Sequence, residues 1–292
     1  MHVELVRTVT RDGLRLDGAL TPTRRASEGD SPLIATAAIL LHGVASNFYT
    51  SSTFEPLIGR LNELGIVALS VNTRGHDLVF GASLGTVRGR FGASYETVDD
   101  CRLDIGAWIE FLKSRGCLRI VLIGHSLGAV KAVYATAQDK FAEVIAVVAV
   151  SPPRLSYSAF MNATERSQFW ESINTAQQMA KAGKSEELFT SVFPFPLLVT
   201  AAAYIDKYGP AERYNLLKFA ADLPCPALFT YGGKELASGG IPFAGVPDAL
   251  KSLPGAERRL IEVIDSADHV YTGVSDKLAD AVAEWLKQLA AV

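Results

Sequence analysis

Apolar and polar positions along this chain follow two rhythms. Residues 3 to 9 and 14 to 20 alternate at every second position on either side of Asp12-Gly13, which predicts a two-stranded hairpin. The run ATAAILLHG over 35 to 43, a helical stretch near 51 to 64 and IVALSVNTRGH over 66 to 76 predict strand, helix, strand. Val98, Cys101, Ile105, Trp108, Ile109 and Leu112 then share one stripe of a 3.6-residue repeat, with Lys113 and Arg115 near the helix end and Gly116 as its stop. A nearly continuous apolar strand, LRIVLIGHS (118 to 126), a helix from about 127 to 138 and a second apolar strand, VIAVVAVSPP (144 to 153), follow.

Strands that are apolar throughout, separated by amphipathic helices, must be covered on both faces. This pattern predicts an α/β fold with a mostly parallel sheet and helices front and back. The alternation breaks from about 154 to 222, where only helix-like stretches such as 165 to 182 and 196 to 207 are evident. It resumes with CPALFTYGG (225 to 233), RRLIEVIDSADH (258 to 269) and a closing helix whose buried stripe is Leu278, Val282, Trp285, Leu286 and Leu289. The reading is one domain over 1–292 with a helical insertion at about 154–222, lying over the sheet edge where the strands end.

Composition narrows the possibilities. At 292 residues with 49% hydrophobic content the chain is long enough for one large core. A net charge of -3 offers no general attraction to phosphate backbones or anionic lipid, so no nucleic-acid partner is expected. The opening MHVELVRTVTRDG alternates like a strand and is not read as a secretion signal. The runs at 144 to 150 and 193 to 204 are too short for a membrane span of about 20 residues, so no stable membrane insertion is expected. Cys101, Cys117 and Cys225 show no metal-ligand spacing and fit reduced, buried thiols in a cytoplasm.

Candidate chemistry centres on VLIGHSLGAV (121 to 130), where Ser126 stands between Gly124 and Gly128 at a predicted strand-to-helix turn. Such a turn strains the backbone at the serine, and larger residues at the flanks would collide with the neighbouring strand and helix. A tight structural turn would use the same glycines. The placement between strand and helix, with small Ala129 and Ala132 allowing close packing, favours an exposed nucleophile. A serine hydroxyl needs a base and an orienting acid. Among His2, His42, His76, His125 and His269, only His269 follows the last strand, and the other four are read as surface or structural histidines. Glu235, three residues beyond Gly232 at the end of the preceding strand, is the candidate acid, although a solvated loop carboxylate would look alike. The backbone N–H groups of Val44, in LLHGVASN, and Leu127 are candidate donors to an oxyanion. The chain order serine, acid, histidine is that of one hydrolase architecture.

With these motifs in place, the chain resembles the α/β-hydrolase fold serine hydrolases. LLHG, NTRGHD, GHSLG, YGGKE and ADH occur in that family's order over nearly its full length. The resemblance implies an eight-stranded, mostly parallel sheet, a cap after the sixth strand and acyl-enzyme chemistry. Ser126 would be the nucleophile, His269 the base, Glu235 the acid, and Val44 and Leu127 the oxyanion donors. The acid of this family is more often aspartate, which leaves Asp248, Asp265 and Asp268 as alternatives. NTRGHD with ADHVYTG is also similar to a branch containing siderophore-type esterases.

Phe160, Phe169, Trp170, Phe193, Phe195 and Tyr204 make the insertion aromatic, either as a lid over an apolar pocket or as anchors to the sheet. The glycine-spaced segment 81 to 94 lacks a phosphate-cradling pattern, and Arg74, Arg88 and Arg90 are read as exposed arginines with a weak claim on an anion. The expectation is a carboxylic ester hydrolase acting on a small-molecule ester without metal or cofactor. An amidase or peptidase would use the same groups, and the fold also serves as a ligand receptor with little turnover.

Overall fold

The computed structural model describes residues 3–23, 35–50 and 52–290. The polar stretch 24–31 and His2 fall outside the described residues. The chain opens with β1 (Glu4–Val9), β2 (Arg15–Thr21), β3 (Ala35–Leu41), α1 (Glu55–Glu63) and β4 (Val67–Val71). A small hairpin, β5 (Phe80–Leu84) and β6 (Val87–Phe91), precedes α2 (Cys101–Ser114), β7 (Cys117–His125), α3 (Leu127–Asp139) and β8 (Val144–Val150). Next come α4 (Tyr157–Asn162), α5 (Ser167–Lys181), a second hairpin of β9 (Leu188–Ser191) and β10 (Leu197–Thr200), and α6 (Ala201–Tyr208). The chain continues through β11 (Ala227–Gly232), α7 (Gly233–Ser238), α8 (Val246–Lys251), β12 (Arg259–Ile264) and α9 (Ser275–Ala290).

Eight strands form one sheet in the order β1-β2-β4-β3-β7-β8-β11-β12. Only the pairings made by β2 are antiparallel; the rest run parallel. Two-residue alternation sends successive side chains of β7 to opposite faces. Ile120 and Leu122 join a core with α2 and α3, while Val121 and Ile123 join one with α1 and α9. The helix stripes match the sequence rhythm, with Ile105, Trp108, Ile109 and Leu112 of α2 and Leu278, Val282, Trp285 and Leu286 of α9 all buried. Burying a side chain of this size fully stabilises the fold by about 1.5–3 kcal/mol. Cys101, Cys117 and Cys225 are buried and unpaired. No described helix is long and apolar enough to cross a membrane.

The structure departs from the sequence rhythm in three places. The segment expected to lack strands contains β9 and β10, paired antiparallel from Leu197 opposite Ser191 to Thr200 opposite Leu188. The helix expected from 196 therefore starts only at Ala201, where the Thr200 hydroxyl caps it by accepting the Ala203 N–H. Four-residue strands are too short to display a period, and Pro194 and Pro196 mask the reversal between them. The glycine-spaced segment 81 to 94 forms most of the β5–β6 hairpin, with Gly85 at its turn at φ +59°. Arg74 is buried rather than exposed, held by Asp104 and Asp12, so it is committed to the protein's own carboxylates.

Candidate active site

Parallel register brings the C-terminal ends of the central strands into line. Leu41 of β3 lies opposite Gly124 of β7, His125 opposite Val150 of β8, and Val150 opposite Thr230 of β11. The loops that leave these ends carry His42 to Val44, Ser126, Ser151, Glu235 and, beyond β12, His269. This edge is where open parallel sheets hold their ligands.

Ser126 has φ +55° and ψ −121°, a conformation that side-chain-bearing residues rarely adopt and that costs on the order of 1–3 kcal/mol. It is kept there by its N–H, which donates to the Val150 carbonyl at 2.9 Å, and by α3, which starts at once behind it. Both flanking glycines are steric necessities. A Cβ on Gly124 would stand 2.2 Å from the Gly128 carbonyl oxygen, and one on Gly128 would stand 2.4 Å from that of Leu41. Strand β7, α3 and the end of β3 can approach this closely only without side chains, and the approach turns the Ser126 hydroxyl toward the loops above the sheet.

His269 Nε2 lies 3.0 Å from Ser126 Oγ, and its Nδ1 contacts Glu235 Oε1 at hydrogen-bond distance. A carboxylate can only accept there, so Nδ1 carries the proton and Nε2 is left to accept from the serine. Glu235 is almost fully buried at the third position of α7. Its Oε2 accepts the Ser151 hydroxyl at 2.7 Å and the Gly232 N–H at 3.2 Å. Gly232 and Gly233 allow this approach, since a Cβ on either would fall within 2.5 Å of a carbonyl in the 265–268 loop. The extra methylene of glutamate is absorbed by folding the side chain back over its own helix start. Asp268 caps its own turn, accepting from Val270 and Thr272 N–H groups, and Asp248 lies exposed beside Lys251, so neither meets the histidine, whose side chain bonds Glu235 and Ser126 and not Asp265.

Above Ser126 runs the turn after β3. His42 is buried, its Nδ1–H donates to the Gly43 carbonyl at 2.7 Å, and its Nε2 accepts the Thr73 N–H at 3.2 Å. Burial, aided by the Lys131 charge, pushes its pKa down to about 3, so the ring is neutral and this tautomer persists. Lys131 in turn donates to Thr73 Oγ1 and pairs with buried Glu96. Val44 and Leu127 flank Ser126 in one cavity. Leu127 opens α3, so its N–H has no partner within the helix.

Two further groups at the site were not singled out by sequence reasoning. His125, between Gly124 and Ser126, donates Nε2–H to the backbone carbonyl of His269 at 2.7 Å and is held down to about 4 by burial first, then by the neighbouring His269. Ser151, in the left-handed region at φ +48°, supplies the third contact to Glu235, backed by Tyr271 and Thr230. Of the remaining histidines described, His76 bonds Asp77 and stacks on Phe80.

The cavity over Ser126 holds about 310 Å³. Phe160, Phe193, Phe195 and Tyr208 come from the segment between β8 and β11, while Phe243 packs its ring 5.2 Å from that of His269. Phe169 and Tyr204 are buried behind this wall rather than in it, and Trp170 is half-exposed. Among the described residues no group of three or more His, Cys, Asp or Glu is placed to hold a metal ion.

Comparison with known proteins places this arrangement in context. The model of the alpha/beta hydrolase family matches residues 38–291. No curated protein matches the chain. Among solved structures, Est1E from Butyrivibrio proteoclasticus with ferulic acid bound superposes with a TM-score of 0.67 at 16% identity, covering 98% of this chain and 100% of that one. The Pyrococcus furiosus esterase Pf2001 does so at 0.65 with 19% identity over 98% and 91% of the two chains. The alpha/beta hydrolase GrgF from Penicillium sp. sh18 gives 0.72 at 15% identity over the whole of both. At such identities the likeness is one of fold.

Proposed function

The chain belongs to the alpha/beta hydrolase family, and on that premise we propose that it hydrolyses carboxylic esters through an acyl-enzyme formed on Ser126. The observation that carries this reading is the unbroken series from Ser126 Oγ through His269 to Glu235, set in a strained turn and opening on an apolar cavity. Esterases among the structures that share the fold agree with it.

In the proposed reaction Ser126 Oγ attacks the ester carbonyl carbon as its proton passes to His269 Nε2. Glu235, in contact with Nδ1, stabilises the imidazolium without taking the proton. The carbonyl oxygen becomes an oxyanion received by the Val44 and Leu127 N–H groups; loss of one such donor typically costs about 100-fold or more in rate. Collapse breaks the bond to the alcohol, which leaves with the proton from His269. Water, deprotonated by the same nitrogen, then attacks the acyl-enzyme and frees the acid and Ser126. The segment 154–222 serves as a cap, excluding water and shaping the apolar wall. No step calls for a metal or an organic cofactor.

A fluorophosphonate probe tests the nucleophile. Wild type is expected to label and to hydrolyse p-nitrophenyl butyrate, with both lost in Ser126→Ala; a folded wild type that does neither would refute the reading in favour of a binding protein. The acid is tested by Glu235→Gln against Asp265→Asn. The first is expected to lower kcat roughly a thousandfold or more by losing the tautomer that presents Nε2 to the serine, the second by less than about threefold. The reverse ranking would refute the assignment of Glu235.

A further inference from the structure

A buried phenol nearly always finds a hydrogen-bond partner, because leaving it without one forfeits its hydration for nothing in return. Six tyrosines of this chain are buried. Tyr134 donates to Asp99, Tyr204 to the Phe193 carbonyl, Tyr214 to Asp206, Tyr231 to the Pro152 carbonyl, and Tyr271 shares bonds with Ser151 and Thr230. Tyr208 is the exception. It is only 9% exposed, and its hydroxyl has no hydrogen bond to any described residue. It lines the cavity that also holds Ser126 and His269. Its ring is fixed from behind, 4.8 Å from Tyr204, with Phe160 and Phe193 on its flanks.

The two ends of the cavity differ chemically. The leaving alcohol must sit close enough to His269 to take its proton, which places that part of the substrate beside Phe243, the ring packed on the histidine. Phe160, Phe193 and Tyr208 form a separate ring cluster in the same cavity wall, and this part is assigned to the acyl group. At about 310 Å³ the whole space lies at the small end for ligand cavities, too small for a long lipid chain together with its alcohol.

Resting on the ester-hydrolase reading above, we propose that Tyr208 is a specificity-determining residue whose hydroxyl bonds an oxygen, as hydroxyl or ketone, on the acyl group of a small ester. The substrate class is thus the esters of compact oxygenated acids rather than plain fatty acids. A site that pairs a substrate oxygen rejects the analogue lacking it, because the protein group is then left dry and alone.

The test compares p-nitrophenyl 4-oxopentanoate with the pentanoate, and the 3-(4-hydroxyphenyl)propanoate with the 3-phenylpropanoate, in wild type and Tyr208→Phe. Wild type is expected to prefer the oxygenated member of at least one pair by about tenfold or more in kcat/KM, and Tyr208→Phe to bring the ratio within that pair to about twofold or less. A second arm compares hexyl butyrate with 6-hydroxyhexyl butyrate, where no preference is expected. Equal rates within both acyl pairs, a preference that survives Tyr208→Phe, or one found only in the alcohol arm would overturn the proposal. Turnover of plain p-nitrophenyl butyrate reports separately on the ester-hydrolase reading, so a wild type inert toward every ester refutes that reading, and one that turns over without discrimination refutes the role of Tyr208 alone.

Discussion

Ser151→Ala removes one hydroxyl from a residue that does not line the cavity, yet a clear loss of turnover is expected. Glu235 Oε2 accepts two bonds, the Ser151 hydroxyl at 2.7 Å and the Gly232 N–H at 3.2 Å, while Oε1 is engaged with His269. The shorter bond disappears in the variant, and what is left to that oxygen is a long backbone contact. A hydrogen bond to an ionised group contributes about 1.5–3 kcal/mol, and each 1.4 kcal/mol is tenfold in rate. The full range corresponds to about ten- to a hundredfold in kcat, the upper limit applying if the Tyr271 hydroxyl, now 3.2 Å from Ser151 Oγ, does not move in as a substitute. KM is expected to stay within twofold. Ser151→Gly separates hydroxyl from backbone: it loses the same bond but relieves a left-handed residue at φ +48°, which costs side-chain-bearing residues about 1–2 kcal/mol. Both variants should show the same fall in p-nitrophenyl butyrate turnover, with the glycine variant melting about 2 °C or more above the alanine variant. Turnover within twofold of wild type in both would refute the role given to the hydroxyl, and a much larger loss in alanine than in glycine would assign the effect to backbone displacement.

Gly128→Ala is expected to prevent recovery of folded protein, or to lower the melting temperature by 10 °C or more, because its Cβ would fall 2.4 Å and 2.5 Å from the Leu41 and His42 carbonyl oxygens; a well-folded, active variant would refute that steric account. His125→Phe should lower kcat about five- to twentyfold by releasing the His269 carbonyl, measured on p-nitrophenyl butyrate. The same variant has a pH signature. His125 is held down to about 4 from 6.5, so between those values the unfolded chain binds a proton that the folded chain refuses, and stability, full above about 6.5, falls as pH drops toward 4. That share is about 3 kcal/mol at most, and denaturant melts at pH 7 and pH 4.5 should show a smaller acid loss in the variant than in wild type. Cys101, Cys117 and Cys225 are expected to resist a thiol reagent at pH 8 in the folded protein and to react once it is unfolded, since burial raises all three thiol pKa values; rapid labelling of the native chain would contradict their burial.

Periodicity along the chain reports local burial, and what depends on burial alone was legible in it. The β7 strand and the stripes of α2 and α9 follow from which side chains must leave water, and the β1–β2 hairpin from alternation on either side of Asp12-Gly13. The glycines around Ser126 were legible too, since their need arises within five residues of chain. Four short strands, β5, β6, β9 and β10, escaped notice because a period cannot be read from four or five residues, and Arg74 was misplaced because its partners, Asp12 and Asp104, lie 62 and 30 positions away. Glu235 was legible only by its place in the chain order. Its contact with His269, which neither Asp265 nor Asp268 makes, depends on the close approach of Gly232 and Gly233 to the 265–268 loop. The tasks of Ser151, His125, His42 and Tyr208 belong wholly to the tertiary structure. Each acts on a group brought beside it by sheet register or by the folding back of α6, and no pattern internal to the chain encodes that neighbour.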